Sequence, residues 1–99
     1  MVNKERLITN FIKMVKVDSL SGQEKAFRDL LQSEFARLGL AAQEDDAGKI
    51  LKGGSGNLLV KIPGNVARPT LLFAAHMDTV VPGTNIEVSL DSEVIRSAG

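Results

Sequence analysis

Between residues 3 and about 17, the apolar side chains of Leu7, Ile8, Phe11, Ile12 and Val15 recur at three- and four-residue intervals, while Lys4, Glu5, Asn10 and Lys13 fall largely off that stripe. The spacing predicts an amphipathic helix with one face turned to an apolar surface. Residues 18–22 are rich in turn formers. Ser21 precedes Glu24 by three, the pattern of a capping box, so a second helix is expected to open there. Its face is Phe27, Leu30, Leu31, Phe35 and Leu38, and Gly39 stands where a left-handed residue commonly ends a helix.

Beyond Gly39 the helical period is lost. Leu40, Ala41 and Ala42 lead into Gln43, Glu44, Asp45 and Asp46, a short strand or an exposed connection, and residues 48–56, with Gly53, Gly54 and Gly56, read as a flexible turn. Residues 57–62 form a candidate strand ended by Pro63 and Gly64, and 65–69 a loop. The apolar run at 70–75 is expected to be a strand buried on both faces of a mixed or parallel sheet, with polar residues starting abruptly at His76. A turn at 82–85 precedes a hairpin of strands 87–90 and 93–96, turning at Asp91 and Ser92. Two helices followed by several strands predict an α/β architecture, helices packed on a mixed sheet. The last strand is followed by no helix to cover the sheet's second face, so the chain reads as a fragment of a larger protein. Apolar surface left open in such a fragment favours self-association.

Composition narrows the function classes. Ninety-nine residues suffice for one small domain, here spanning 1–99. Twelve basic residues balance twelve acidic ones, so there is no field to gather nucleic-acid phosphates or an anionic membrane surface. The longest apolar run, 71–75, is far short of the ~20 residues that span a bilayer. Cysteine is absent, which removes disulfides, thiolate zinc sites and a cysteine nucleophile, and a cytoplasmic location is expected. The single histidine, His76, excludes any site built within this chain on two histidines.

Candidate chemistry lies where the apolar run ends. If the backbone stays extended, His76 and Asp78 point to the same side, at the carboxyl end of a strand, where open α/β sheets bind ligands. His76 can offer one ring nitrogen to a metal while Asp78 accepts a hydrogen bond from the other, fixing the tautomer and raising ligand basicity. On spacing alone, a turn cap or an Asx-turn is the more frequent outcome for a lone His-x-Asp. A hydrolytic triad with Ser89, Ser92 or Ser97 ranks last, because none sits in a glycine-flanked elbow. The glycine turn is no phosphate cradle, since a strand follows where a helix is required. Glu44, Asp45 and Asp46 lack the spacing of a calcium loop and read as solvated surface.

Several short stretches occur together: V-D-S-L-S-G-Q-E (17–24), L-G (38–39), G-N-L (56–58), I-P-G (62–64) and H-M-D-T-V-V-P-G (76–83). In this combination the chain resembles the zinc-dependent exopeptidases and deacylases that include peptidase T, carboxypeptidase G and the acetylornithine and succinyl-diaminopimelate deacylases. Asp45 and Asp46 before the glycine turn, with the 76–83 stretch and a following strand pair, look most like the peptidase T-like branch of tripeptide aminopeptidases. The resemblance implies the N-terminal part of a phosphorylase/hydrolase-like zinc peptidase catalytic domain, with the rest of that domain and a smaller lid or dimerisation domain absent. It also implies that His76 ligates one ion of a two-zinc centre and that Asp78 is a catalytic position orienting His76. Cobalt or manganese can stand in for zinc at carboxylate-rich sites. The implied activity is metal-assisted hydrolysis of short peptides, with a deacylase, a carboxypeptidase or a truncated non-catalytic module as alternatives. The implied partners are a short peptide substrate and, in the full-length protein, a second copy as a homodimer. The further ligands and the general base come later in such families, so this chain alone is expected to be inactive and to bind zinc weakly or not at all.

Overall fold

A computed structural model describes residues 1–98 of the chain. Seven elements follow one another: helix α1 (Lys4–Val15), helix α2 (Lys25–Arg37), strand β1 (Ala42–Glu44), helix α3 (Ala47–Leu51) and strands β2 (Leu58–Val60), β3 (Glu87–Leu90) and β4 (Ile95–Ala98). The α/β class stands. Its sheet is represented by two antiparallel pairs, β1 with β2 and β3 with β4, and a single parallel bridge between Leu20 and Thr79. No helix among the described residues is long and apolar enough to cross a membrane.

Helix α1 starts where Asn3, in extended conformation, accepts a hydrogen bond on its side chain from the Arg6 amide at 3.0 Å. Helix α2 ends as expected, with Gly39 at φ 75°, a left-handed conformation that a β-carbon disfavours. Its start differs from the capping-box reading. Glu24 occupies the cap position without a side-chain cap bond; its carboxylate accepts from the Gly22 amide at 2.6 Å instead. Ser21 is thereby released to reach across to another part of the chain. The two helices are tied by the Lys13–Glu34 ion pair, and Arg37 adds a second cation to Glu34 at 3.1 Å.

The acidic stretch after α2 is a structural knot. Asp45 accepts on Oδ1 from the amides of Ala47 (3.0 Å) and Asn57 (2.8 Å) and on Oδ2 from the Asn57 side-chain amide (2.9 Å). Glu44 accepts from the Gly56 amide at 2.8 Å and from Arg28 of α2 on both carboxylate oxygens at 2.9 Å. These donors stabilise the ionised carboxylates, so both acids are held below the usual range: Asp45 first by the Asn57 side chain, Glu44 first by the Gly56 amide. The glycines allow the close approach. A β-carbon on Gly48 would sit 2.5 Å from the Ser55 carbonyl carbon, and one on Gly56 would overlap the Asp45 backbone. The expected flexible turn therefore contains the five-residue helix α3 and is closed by defined bonds.

The apolar run at 70–75 is the main correction. It is not a buried strand: Leu71, Leu72 and Phe73 are 80, 82 and 89 % exposed, and no other described segment pairs with it. A strand is buried only when neighbours satisfy its backbone groups and cover its faces, and the described strands pair only as β1 with β2 and β3 with β4. The chain's accessible surface, 8357 Å², exceeds the roughly 5,500 Å² of a compact monomer of its mass. Among the described residues no apolar side chain is fully buried. The β3–β4 hairpin forms with a wider loop than expected, closed by the Asp91 amide donating to the Val94 carbonyl at 2.9 Å.

Candidate metal-ligand site

The site is built where two stretches far apart in sequence meet. Residues 18–21 run alongside residues 77–79 as the parallel bridge. The Thr79 amide donates to the Ser19 carbonyl (2.7 Å), and the Ser21 amide donates to the Thr79 carbonyl (3.3 Å). The Ser19 hydroxyl donates to the Met77 carbonyl at 2.7 Å, and Ser19 is only 2 % exposed. Further on, the Asn85 amide donates to the Asp18 carboxylate at 2.8 Å. These bonds grip the backbone on both sides of Asp78.

Within that grip, His76 and Asp78 come together as expected from their spacing. Nδ1 of His76 lies 3.3 Å from Oδ1 of Asp78, at the outer edge of hydrogen-bond reach. The imidazole is 94 % exposed and the carboxylate 34 %. Asp78 receives the Ser21 hydroxyl on its other oxygen, Oδ2, at 2.5 Å. That bond is the foremost reason why the carboxyl is held below its ordinary range, with its own backbone amide and His76 adding to it. The carboxylate is thus anchored on one side and free to meet the imidazole on the other. Nε2 of His76 is left for a ligand.

The alternatives fall into place around this pair. Ser89 and Ser97 lie on β3 and β4, Ser92 lies in their turn, and none is hydrogen-bonded to His76 among the described residues. Glu44 and Asp45 are engaged by amides and Arg28. Two open depressions, of about 270 and 340 Å³, flank the knot and the β1–β2 pair, and neither is lined by His76 or Asp78. Among the described residues no three His, Asp or Glu side chains converge as a metal cage. His76 fits a metal as one imidazole donor backed by a carboxylate, and further ligands must come from outside these residues. The sequence reading missed Asp18, Ser19 and Ser21 as supports of the site. The only signal for them is their presence in the 17–24 stretch, where the local pattern points Ser21 to a helix start.

The fold is that of the N-terminal part of peptidase T-like peptidase domains. Two crystal structures carry this comparison. The aminopeptidase PepT from Bacillus cereus superposes with a TM-score of 0.90 at 37% identity, over 97% of this chain and 26% of that one. A tripeptidase from Staphylococcus aureus also gives 0.90, at 36% identity, over 98% of this chain and 26% of its own. In sequence, the uncharacterized protein YqjE of Bacillus subtilis is 34% identical along all 99 residues, which make up 27% of that protein. The chain thus spans about a quarter of the length of the proteins it matches. No protein-family model matches it.

Proposed function

We propose that these residues are the N-terminal part of a metal-dependent peptidase that hydrolyses short peptides, tripeptides foremost, from the amino end. The carrying observation is the agreement of nearly the whole chain, at 36 and 37% identity and a TM-score of 0.90, with a tripeptidase and an aminopeptidase. In this reading His76 holds one metal ion through Nε2, and Asp78 orients the imidazole from behind. Zinc suits the imidazole–carboxylate pairing, with cobalt or manganese as substitutes. When bound, the metal supplies Lewis acidity toward a peptide carbonyl and acidifies a water. The remaining ligands, the general base and the lid or dimerisation domain belong to residues beyond these 99. In this reading the run at Leu71, Leu72 and Phe73, exposed here, is a face for the remaining catalytic domain to cover. The protein is cytoplasmic, its substrate partner is a short peptide, and it pairs as a homodimer.

The test is tripeptide hydrolysis by the full-length gene product, with and without a chelator and with zinc restored. The expected result is activity that the chelator abolishes and zinc restores, and that His76→Ala lowers at least ~100-fold through loss of a metal ligand. Activity indifferent to the chelator, activity retained by His76→Ala, or none on tripeptides in either state would overturn the reading.

A further inference from the structure

We infer that Ser21 is a positioning residue for His76, acting through Asp78 to set which imidazole nitrogen carries the proton. The inference rests on the reading of His76 as a ligand through Nε2 and deepens it. A histidine can offer Nε2 to a metal only when its proton resides on Nδ1, and that tautomer is selected by an acceptor at Nδ1. The group placed to accept is Oδ1 of Asp78, in ion-pair contact 3.3 Å from Nδ1. Left alone, a carboxylate that is one-third exposed can rotate about its side-chain bonds and turn to water. The Ser21 hydroxyl, 2.5 Å from Oδ2, fixes that rotation.

The surroundings show that Ser21 is itself held for this task. Its amide donates to the Thr79 carbonyl, and two residues earlier in the same strap, residues 18–21, the Ser19 carbonyl accepts from the Thr79 amide. Ser19, which is buried, anchors the Met77 carbonyl. Both backbone neighbours of Asp78 are therefore bonded to the same short strap that carries Ser21. A hydroxyl free of that strap would be one surface contact among many; a hydroxyl on it moves only if the whole bridge moves. Ser21 is also relieved of helix capping, because Glu24 takes the cap position of α2 and binds the Gly22 amide.

The experiment is a long-range proton–nitrogen correlation spectrum of the ¹⁵N-histidine-labelled, metal-free full-length protein at about pH 8.5, where an ordinary imidazole is neutral, with the His76 signals assigned by their loss in His76→Gln. Wild type is expected to hold mainly the Nδ1–H form. Ser21→Ala should lower that form at least about twofold, and Ser21→Thr, which keeps the hydroxyl, should restore most of it. If Ser21→Ala loses its helical far-UV signal, Ser21→Cys, of similar size but a weak donor, takes its place with the same expected loss. An unchanged tautomer in the alanine or cysteine variant, or a threonine variant no better than alanine, overturns the inference. The spectrum needs no metal, so this failure is separate from that of the peptidase reading, which the chelator experiment decides.

Discussion

Asp45 and Asp78 are both carboxylates held below their ordinary range by hydrogen-bond donors, yet their surroundings differ in what they leave open. Asp45 gives both oxygens to amides of its own fold, two from the backbone of Ala47 and Asn57 and one from the Asn57 side chain. Asp78 gives one oxygen to Ser21 and turns the other toward an imidazole that is almost wholly exposed. The first arrangement closes a loop. The second holds a group in place while leaving its partner free to bind something else. An acidic residue next to glycines and an acidic residue next to a histidine look alike as short motifs, and only the count of donors on each oxygen separates structure from function.

The sharpest way to break the comparison is to remove the knot without touching a charge. Gly56→Ala would drive a β-carbon into the Asp45 backbone, and a clash with backbone cannot be relieved by turning a side chain. Overpacking of this kind costs about 3 kcal/mol. Urea unfolding followed by circular dichroism should show that loss, while the His76 tautomer in the fraction still folded stays as in wild type. A stability within about 0.5 kcal/mol of wild type would mean that the loop from Gly53 to Gly56 yields easily, and the knot would then not be the rigid half of the pair.

The converse change is Asp78→Asn, which keeps the shape and removes the acceptor's charge. In the full-length protein it should lower zinc affinity about 10- to 100-fold, as loss of a carboxylate behind a ligating histidine generally does. Stability should change little, because Asp78 holds no secondary-structure element together. Zinc titration with a competing chelator measures the first quantity and urea unfolding the second. Equal zinc affinity in variant and wild type would make Asp78 a loop residue of the same kind as Asp45.

How much of this was visible beforehand depended on distance along the chain. Local signals read correctly: Leu7, Phe11 and Ile12 gave α1, Gly39 gave the end of α2, and the i, i+2 spacing brought His76 to Asp78. Helix α3 was hidden because five residues are too short for a period and contain Gly48, whose presence is explained only by Ser55 lying against it. A capping box is local and points Ser21 to the nearest helix, whereas its actual partner lies 57 residues away. The run at 70–75 has the composition of a buried strand, but burial depends on neighbours, and composition carries no information on whether they are at hand.

The smallest expected effect bears on the closed member of the pair and concerns pH. Donors hold the folded Asp45 carboxyl below its ordinary value. The stability it contributes is therefore fully present above the unfolded carboxyl's pKa, near 3.9, and is lost as pH falls through the lower folded value. Asp45→Asn keeps the side chain's size but replaces one oxygen by an amide nitrogen facing the donors of Ala47 and Asn57. The variant should be less stable than wild type at neutral pH, and the difference should shrink as pH falls well below the carboxylate range, where wild type also loses its charge. Urea midpoints measured at neutral pH and at about pH 2.5 decide it. A difference that stays constant would mean that Asp45 acts through its shape and not its charge, and the contrast with Asp78 would then rest on geometry alone.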